Sequence, residues 1–133
     1  MFKKYIKYLP KFISPFLFLI YCLVYFFPRN KKNWVFGSGV GMNFSDNAKY
    51  LFLYCSALSE INSYWITRNR VLLKSLRSEG LNAYYKYSAK GLWLSLSSKV
   101  YVYDSRTGSI NHWTSAGALK VNLWHGSPLK TID

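Results

Sequence analysis

The sequence predicts an open α/β sheet of parallel strands, preceded by a short apolar segment. Two observations lead there. Strand-like and helix-like stretches alternate three times after residue 32, the order that parallel strands joined by crossover helices require. Ahead of them, Phe12 to Phe27 is almost uniformly apolar, broken only by Ser14 and Pro15. The expected division is 1–32, a basic and apolar membrane-associating segment, and 33–133, a single α/β domain. A chain of 133 residues has room for no more.

The elements follow in order. Asn33 to Ser38 (NWVFGS) is rich in aromatic and β-branched residues and closes on glycine, as a strand does. Gly39 and Gly41 continue as a loop. Ser45 or Asp46 caps a helix to about Ser59, with Leu51, Tyr54, Cys55 and Leu58 on its inner face. Ser63 to Thr67 is a second strand. Asn69 caps a helix through Arg77, with Val71, Leu72 and Leu76 inward and Gly80 as its stop. Leu81 to Tyr85 is a weaker third strand, and Ser88 caps a helix holding Leu92, Trp93, Leu94 and Leu96. Lys99 to Tyr103 is a fourth strand, Ser105 to Gly117 a polar loop, and Leu119 to Trp124 a fifth strand.

Composition narrows the partners. Half the residues are apolar and one in five is aromatic, which excludes global disorder. The net charge is +13. Lys3, Lys4, Lys7, Lys11, Arg29, Lys31 and Lys32 bracket the apolar run with no acid among them. Cations flanking apolar sequence favour an anionic membrane surface, at roughly 1 kcal/mol per charge. As a helix the run is about 24 Å long, short of the roughly 30 Å hydrocarbon core. An interfacial segment and a short span both remain open. No small-residue cleavage site follows to make it a signal peptide. Basic residues after Lys32 are scattered, so nucleic acid is not an expected partner. Cys22 and Cys55 provide neither a disulfide scaffold nor a zinc site, and no metal or other cofactor is expected.

Strand ends are where an open parallel sheet binds ligands. Gly37-Ser38-Gly39-Val40-Gly41 follows the first strand. It is either a tight turn or, through Gly37 and Gly39, a backbone floor for a phosphate-bearing ligand. Asn122 to Lys130 (NLWHGSPLK) is more specific. A strand ends in Trp-His and turns at once through Gly-Ser-Pro. His125 is suited to accept a hydroxyl proton near neutral pH, the alternative being a structural histidine at a turn. Lys130 can place a cation beside a phosphate. His112 and Arg106, in the loop after the fourth strand, are secondary candidates.

The NLWHGSPLKTI stretch resembles the Trp-His-Gly-[Thr/Ser]-Pro-Leu-Lys motif of the CDP-glycerol glycerophosphotransferases, the teichoic-acid primases and polymerases, and their capsule-synthesis relatives. WVFGSGVGMNFSDNAKYLF, YWITRNR and YYKYSAKGLW resemble earlier stretches of that family in the same order. The resemblance implies a Rossmann-like sheet forming the N-terminal half of a glycosyltransferase-B architecture, on the cytoplasmic face of a membrane. It implies transfer of glycerol phosphate from CDP-glycerol to a lipid-linked acceptor in teichoic acid or capsular polysaccharide synthesis. His125 is then the base, with Gly126, Ser127 and Lys130 on phosphate oxygens. The donor-binding half of the family is not represented in these 133 residues, so the chain is expected to be an acceptor-side part. It could also be a non-catalytic module for a lipid-linked phosphate-containing glycan, or one part of a split transferase.

Overall fold

A computed structural model of the chain describes residues 14–104 and 106–123. The chain opens on helix α1 (Ser14–Tyr25). Pro15 falls in its first turn and Pro28 follows its end, positions where proline does least harm to a helix. Strand β1 (Asn30–Gly37) leads through a 3-10 turn (Gly39–Gly41) into α2 (Asp46–Ser56). Then come β2 (Asn62–Thr67), α3 (Arg70–Ser78), β3 (Ala83–Tyr85), α4 (Ala89–Ser97) and β4 (Ser98–Tyr103). A second 3-10 turn (Thr107–Ser109) precedes β5 (Leu119–Asn122).

The five strands form one sheet, all parallel, in the order β3-β2-β1-β4-β5. The expected open parallel α/β sheet is therefore present. Val35 of β1 lies level with Tyr64 on one side and Tyr101 on the other. The chain builds outward from β1 to β3, then crosses back to β4 and β5. That reversal opens a crevice between the carboxyl ends of β1 and β4, where doubly wound sheets bind ligands.

Side chains alternate across the sheet with period two, which splits the core. Phe36, Trp65, Val100 and Val102 point to one face, against Ala48, Phe52 and Cys55 of α2 and Leu73 and Leu76 of α3. Val35, Ile66, Tyr101 and Tyr103 point to the other, against Leu94 of α4 and Ile110 of the β4–β5 loop.

Capping fixes α3 at both ends. Asn69 Oδ1 accepts from the amides of Val71 (3.1 Å) and Leu72 (3.2 Å). At the other end Leu81 N donates to Leu76 O and Gly80 N to Arg77 O, with Gly80 at φ +77°. This is the Schellman closure that glycine permits.

Two local expectations are corrected. On α2 the buried face is Ala48, Phe52 and Cys55, and Tyr54 is exposed. On α3 the inner residues are Leu73 and Leu76, while Val71 is 80% exposed. In both helices several residue pairs satisfy a helical spacing, and only docking on the sheet selects one. The polar loop after β4 packs largely into the protein. Thr107, Ser109, Ile110, Asn111, Ser115 and Ala116 are all buried in it.

The first strand begins at Asn30, so Arg29 sits at its threshold and points into the protein. Its guanidinium donates to the carbonyls of Ser95 (3.1 Å), Ser98 (2.9 Å), Ala116 (2.7 Å) and Thr114. Arg29 thus leaves the set of cations expected to face a membrane. Among the described residues, no helix is long and apolar enough to cross a membrane.

Candidate functional site

The crevice at the carboxyl edge is built by two tight turns in contact. The first follows β1. Gly39, Val40 and Gly41 all adopt left-handed backbone, at φ +54°, +56° and +84°. Glycine takes these angles freely, but a β-branched valine does so only under strain. The second β-strand holds this turn in place. Thr67 Oγ1 (2.7 Å) and Arg68 N (2.8 Å) both donate to Gly41 O, and Asn69 Nδ2 reaches Met42 O at 3.2 Å.

The second turn follows β4. Asp104 is buried at the strand end, and its carboxylate accepts from Gly39 N at 3.4 Å. Gly37 packs so closely on Ser109 O that a side chain there would collide with it, at 2.7 Å. Gly37 and Gly39 therefore lie at the switch point between β1 and β4. Gly37 faces the Ser109 carbonyl, and Gly39 packs against the Asn43 side chain with the Asp104 carboxylate on its amide.

Beside these turns is a cavity of about 270 Å³. It is lined by Val40, Arg68, Lys86, Tyr87, Gly108, Asn111, His112 and Trp113. Three basic side chains enter it from three separate connections. Arg68 follows β2, and its Nε donates to Val40 O at 3.0 Å. Lys86 follows β3, and its Nζ donates to Gly108 O at 2.8 Å. Burial, and then the Arg68 guanidinium, push the Lys86 ammonium below its ordinary pKa.

His112 comes from the β4–β5 loop. Its Nδ1 shares a hydrogen bond with Thr107 Oγ1 at 3.0 Å, and Tyr21 of α1 stacks on the ring at 5.5 Å. Burial is the main cause holding its pKa below the usual histidine value, and Lys120 adds to it. The imidazole is thus biased toward its neutral form. Of the two secondary candidates, His112 lines the cavity and Arg106 is exposed outside its lining.

Sequence reasoning missed Arg68 and Lys86. Each sits directly after a strand, as Asp104 does, a signal that marks each residue singly but not the cluster they form.

His125, Gly126, Ser127 and Lys130 lie outside the described residues. The chain leading to them is anchored at the same edge of the sheet. Leu123 N donates to Tyr103 O at 2.9 Å, and Asn47 Nδ2 donates to Leu123 O at 3.0 Å. Asn47 belongs to the Ser45-Asp46-Asn47 stretch. Ser88 and Gly91, from the Ser-x-Lys-Gly stretch, also have a structural task. Ser88 Oγ donates to Tyr85 O (2.8 Å) and accepts from Gly91 N (3.0 Å), so the pair caps α4 against β3.

Among the described residues no group of histidine, cysteine and carboxylate side chains could hold a metal ion. The class defined by this geometry is a parallel, switch-point α/β domain with a cationic cavity at its carboxyl edge. Residues 19–133 match the family described as CDP-glycerol:poly(glycerophosphate) glycerophosphotransferase, and the chain belongs to that family. It is also 30% identical over 121 residues to a teichoic acid poly(glycerol phosphate) polymerase of Bacillus spizizenii. That match covers 86% of this chain but 29% of the relative. No solved structure matches.

Proposed function

We propose that the chain is the acceptor-side part of a membrane-associated glycerophosphotransferase of teichoic acid or capsular polysaccharide synthesis. In this reading the sheet is the N-terminal half of a glycosyltransferase-B architecture. The observation that carries it is the family match over residues 19–133, which includes the Trp124-His125-Gly126-Ser127-Pro128-Leu129-Lys130 motif.

His125 takes the proton from a hydroxyl of a lipid-linked acceptor. That oxygen attacks the β-phosphorus of CDP-glycerol, the bond to the bridging oxygen breaks, and CMP leaves with that oxygen. Such transfers depend mainly on positioning and on charge stabilisation. Lys130, Ser127 and the Gly126 backbone hold phosphate oxygens, with Gly37 and Gly39 on the floor of the crevice.

Membrane attachment is proposed through residues 1–32, without Arg29. Phe16, Phe18, Leu19, Leu23 and Phe26 of α1 and its end are exposed, Phe26 by 81%. An exposed apolar helix beside a lysine-rich sequence suits the interface of an anionic bilayer.

The chain spans 29% of the teichoic acid polymerase it matches. The test joins this chain to the remaining length of such a relative and measures CMP release. His125→Ala should lower kcat by roughly 10²–10⁴ at an unchanged thermal midpoint. An unchanged rate would remove His125 from the mechanism.

A further inference from the structure

We propose that the cavity between Arg68, Lys86 and His112 is a phosphate-binding site, built from residues other than the Gly126–Lys130 motif. The inference rests on the transferase reading only for the identity of the molecule that carries the phosphate.

Three groups able to carry positive charge reach this cavity, Arg68 and Lys86 from the ends of β2 and β3 and His112 from the β4–β5 loop. The lining contains no carboxylate. Asp104 is close in the fold, but its carboxylate faces Gly39 N. Arg68 and Lys86 have no ion-pair partner among the described residues. Two cations held near one another without an anion raise each other's energy, and partial burial of Lys86 raises it further. An anion entering the cavity relieves both costs.

The donors are also aimed. Arg68 Nε and Lys86 Nζ each spend one proton on a carbonyl of the turn beneath them, Val40 O and Gly108 O. Those bonds fix where the two heads sit. Guanidinium and ammonium groups have more N–H donors than one bond consumes. The volume, about 270 Å³, has room for a phosphate and a small polyol.

The location adds a second constraint. Tyr21 connects the cavity to α1, because its ring stacks on His112. A molecule with its phosphate in the cavity could therefore run its apolar part along the exposed side of α1. Two sources of phosphate fit the chemistry: the glycerol phosphate end of an acceptor, and the diphosphate of a donor.

The test uses the whole chain and two probes, sn-glycerol 3-phosphate and CDP-glycerol. Binding is followed by titration calorimetry and by the His112 imidazole resonances. Glycerol 3-phosphate should bind and shift those resonances. Arg68→Gln and Lys86→Gln should each weaken binding about tenfold or more, the usual scale for a charge-assisted hydrogen bond. Lys86→Arg should restore most of it. Lys74→Gln, on the exposed side of α3, removes the same charge away from the cavity and should have little effect.

If Lys74→Gln weakens binding equally, the attraction is diffuse and the site is overturned. Binding of neither probe also overturns it. Should Lys86→Gln fail to fold, Arg68→Gln decides alone, since Arg68 is exposed; wild-type affinity in that variant overturns the site. If CDP-glycerol alone binds with the same dependence on Arg68, the site stands and its phosphate comes from the donor. An unchanged rate in His125→Ala would sink the catalytic reading and leave this site intact.

Discussion

The two faces of the sheet are covered by different chemistry. On one, α2 and α3 close over rings that meet edge-on: Phe36 and Phe52 at 5.3 Å, Phe44 and Trp65 at 4.6 Å, Phe52 and Trp65 at 5.4 Å. On the other, α4 shares the cover with the irregular β4–β5 loop, and polar groups run through the packing. Tyr101 is wholly buried, bonding Ser95 O and, at 2.8 Å, Thr114 Oγ1. Burial pushes its phenol up to about 12.

The difference follows from backbone accounting. A helix satisfies its own carbonyls, whereas a loop does not, and buried carbonyls need donors from elsewhere. Basic side chains supply them. In this loop Arg29 serves Thr114 and Ala116, besides Ser95 and Ser98 where α4 meets β4, Lys86 serves Gly108 and Lys99 serves Gly117 at 3.1 Å. Part of the positive charge that composition assigns to outside partners is thus used inside the fold.

The aromatic face should be the more sensitive to a single truncation. Phe52→Ala removes a fully buried ring that touches Phe36, Phe44 and Trp65. It should cost about 3–5 kcal/mol, the range for buried Phe to Ala, measured by urea unfolding. A cost below that of any polar-face substitution would reverse the ranking of the two faces.

Arg29→Met tests the polar face. It keeps an unbranched chain but leaves four carbonyls without their donor, and a loss of about 2–3 kcal/mol is expected. Lys31→Met, at an exposed position of β1, should stay within about 0.5 kcal/mol. Hydrogen exchange should quicken in residues 106–118 and not in α3. Equal quickening in both would mean that the two faces open as one unit.

What could be foreseen follows the same division. The regular helices and the strands between them were legible, because caps such as Asn69 and Ser88 and stops such as Gly80 are local signals. Strand positions and their ligand-facing ends followed from the alternation. The inner faces of α2 and α3 were not legible residue by residue. Val71 and Tyr54 satisfy a helical spacing as well as Leu73 and Phe52 do, and only the sheet decides between them. Nor was the β4–β5 loop, because serine and threonine suggest solvent until a buried backbone needs their hydroxyls. Ser115 Oγ, for instance, donates to His112 O at 2.6 Å. Arg68 and Lys86 were hidden for a related reason, since scattered basic residues become a cluster only when neighbouring strands align their ends.

The smallest expected effect separates the faces by pH. Among the described residues, His112 is the one histidine, and it belongs to the polar face. Its pKa is lowered in the folded state, first by burial and then by Lys120. Arg68 and Lys86 line the same cavity, and the Tyr21 ring covers one side of the imidazole. The sign is fixed by proton counting. The unfolded chain, with an ordinary histidine near 6.5, binds a proton at a higher pH than the folded chain does. Stability from this group is therefore present above that value and is lost as pH falls below it, until the folded ring also protonates. Urea midpoints measured from pH 7.5 to 5 should accordingly decline, by less than the loss in Arg29→Met. His112→Gln should flatten the decline while Phe52→Ala, on the other face, should keep its slope and only lower the curve. A slope that survives in His112→Gln would mean that other groups carry the pH response.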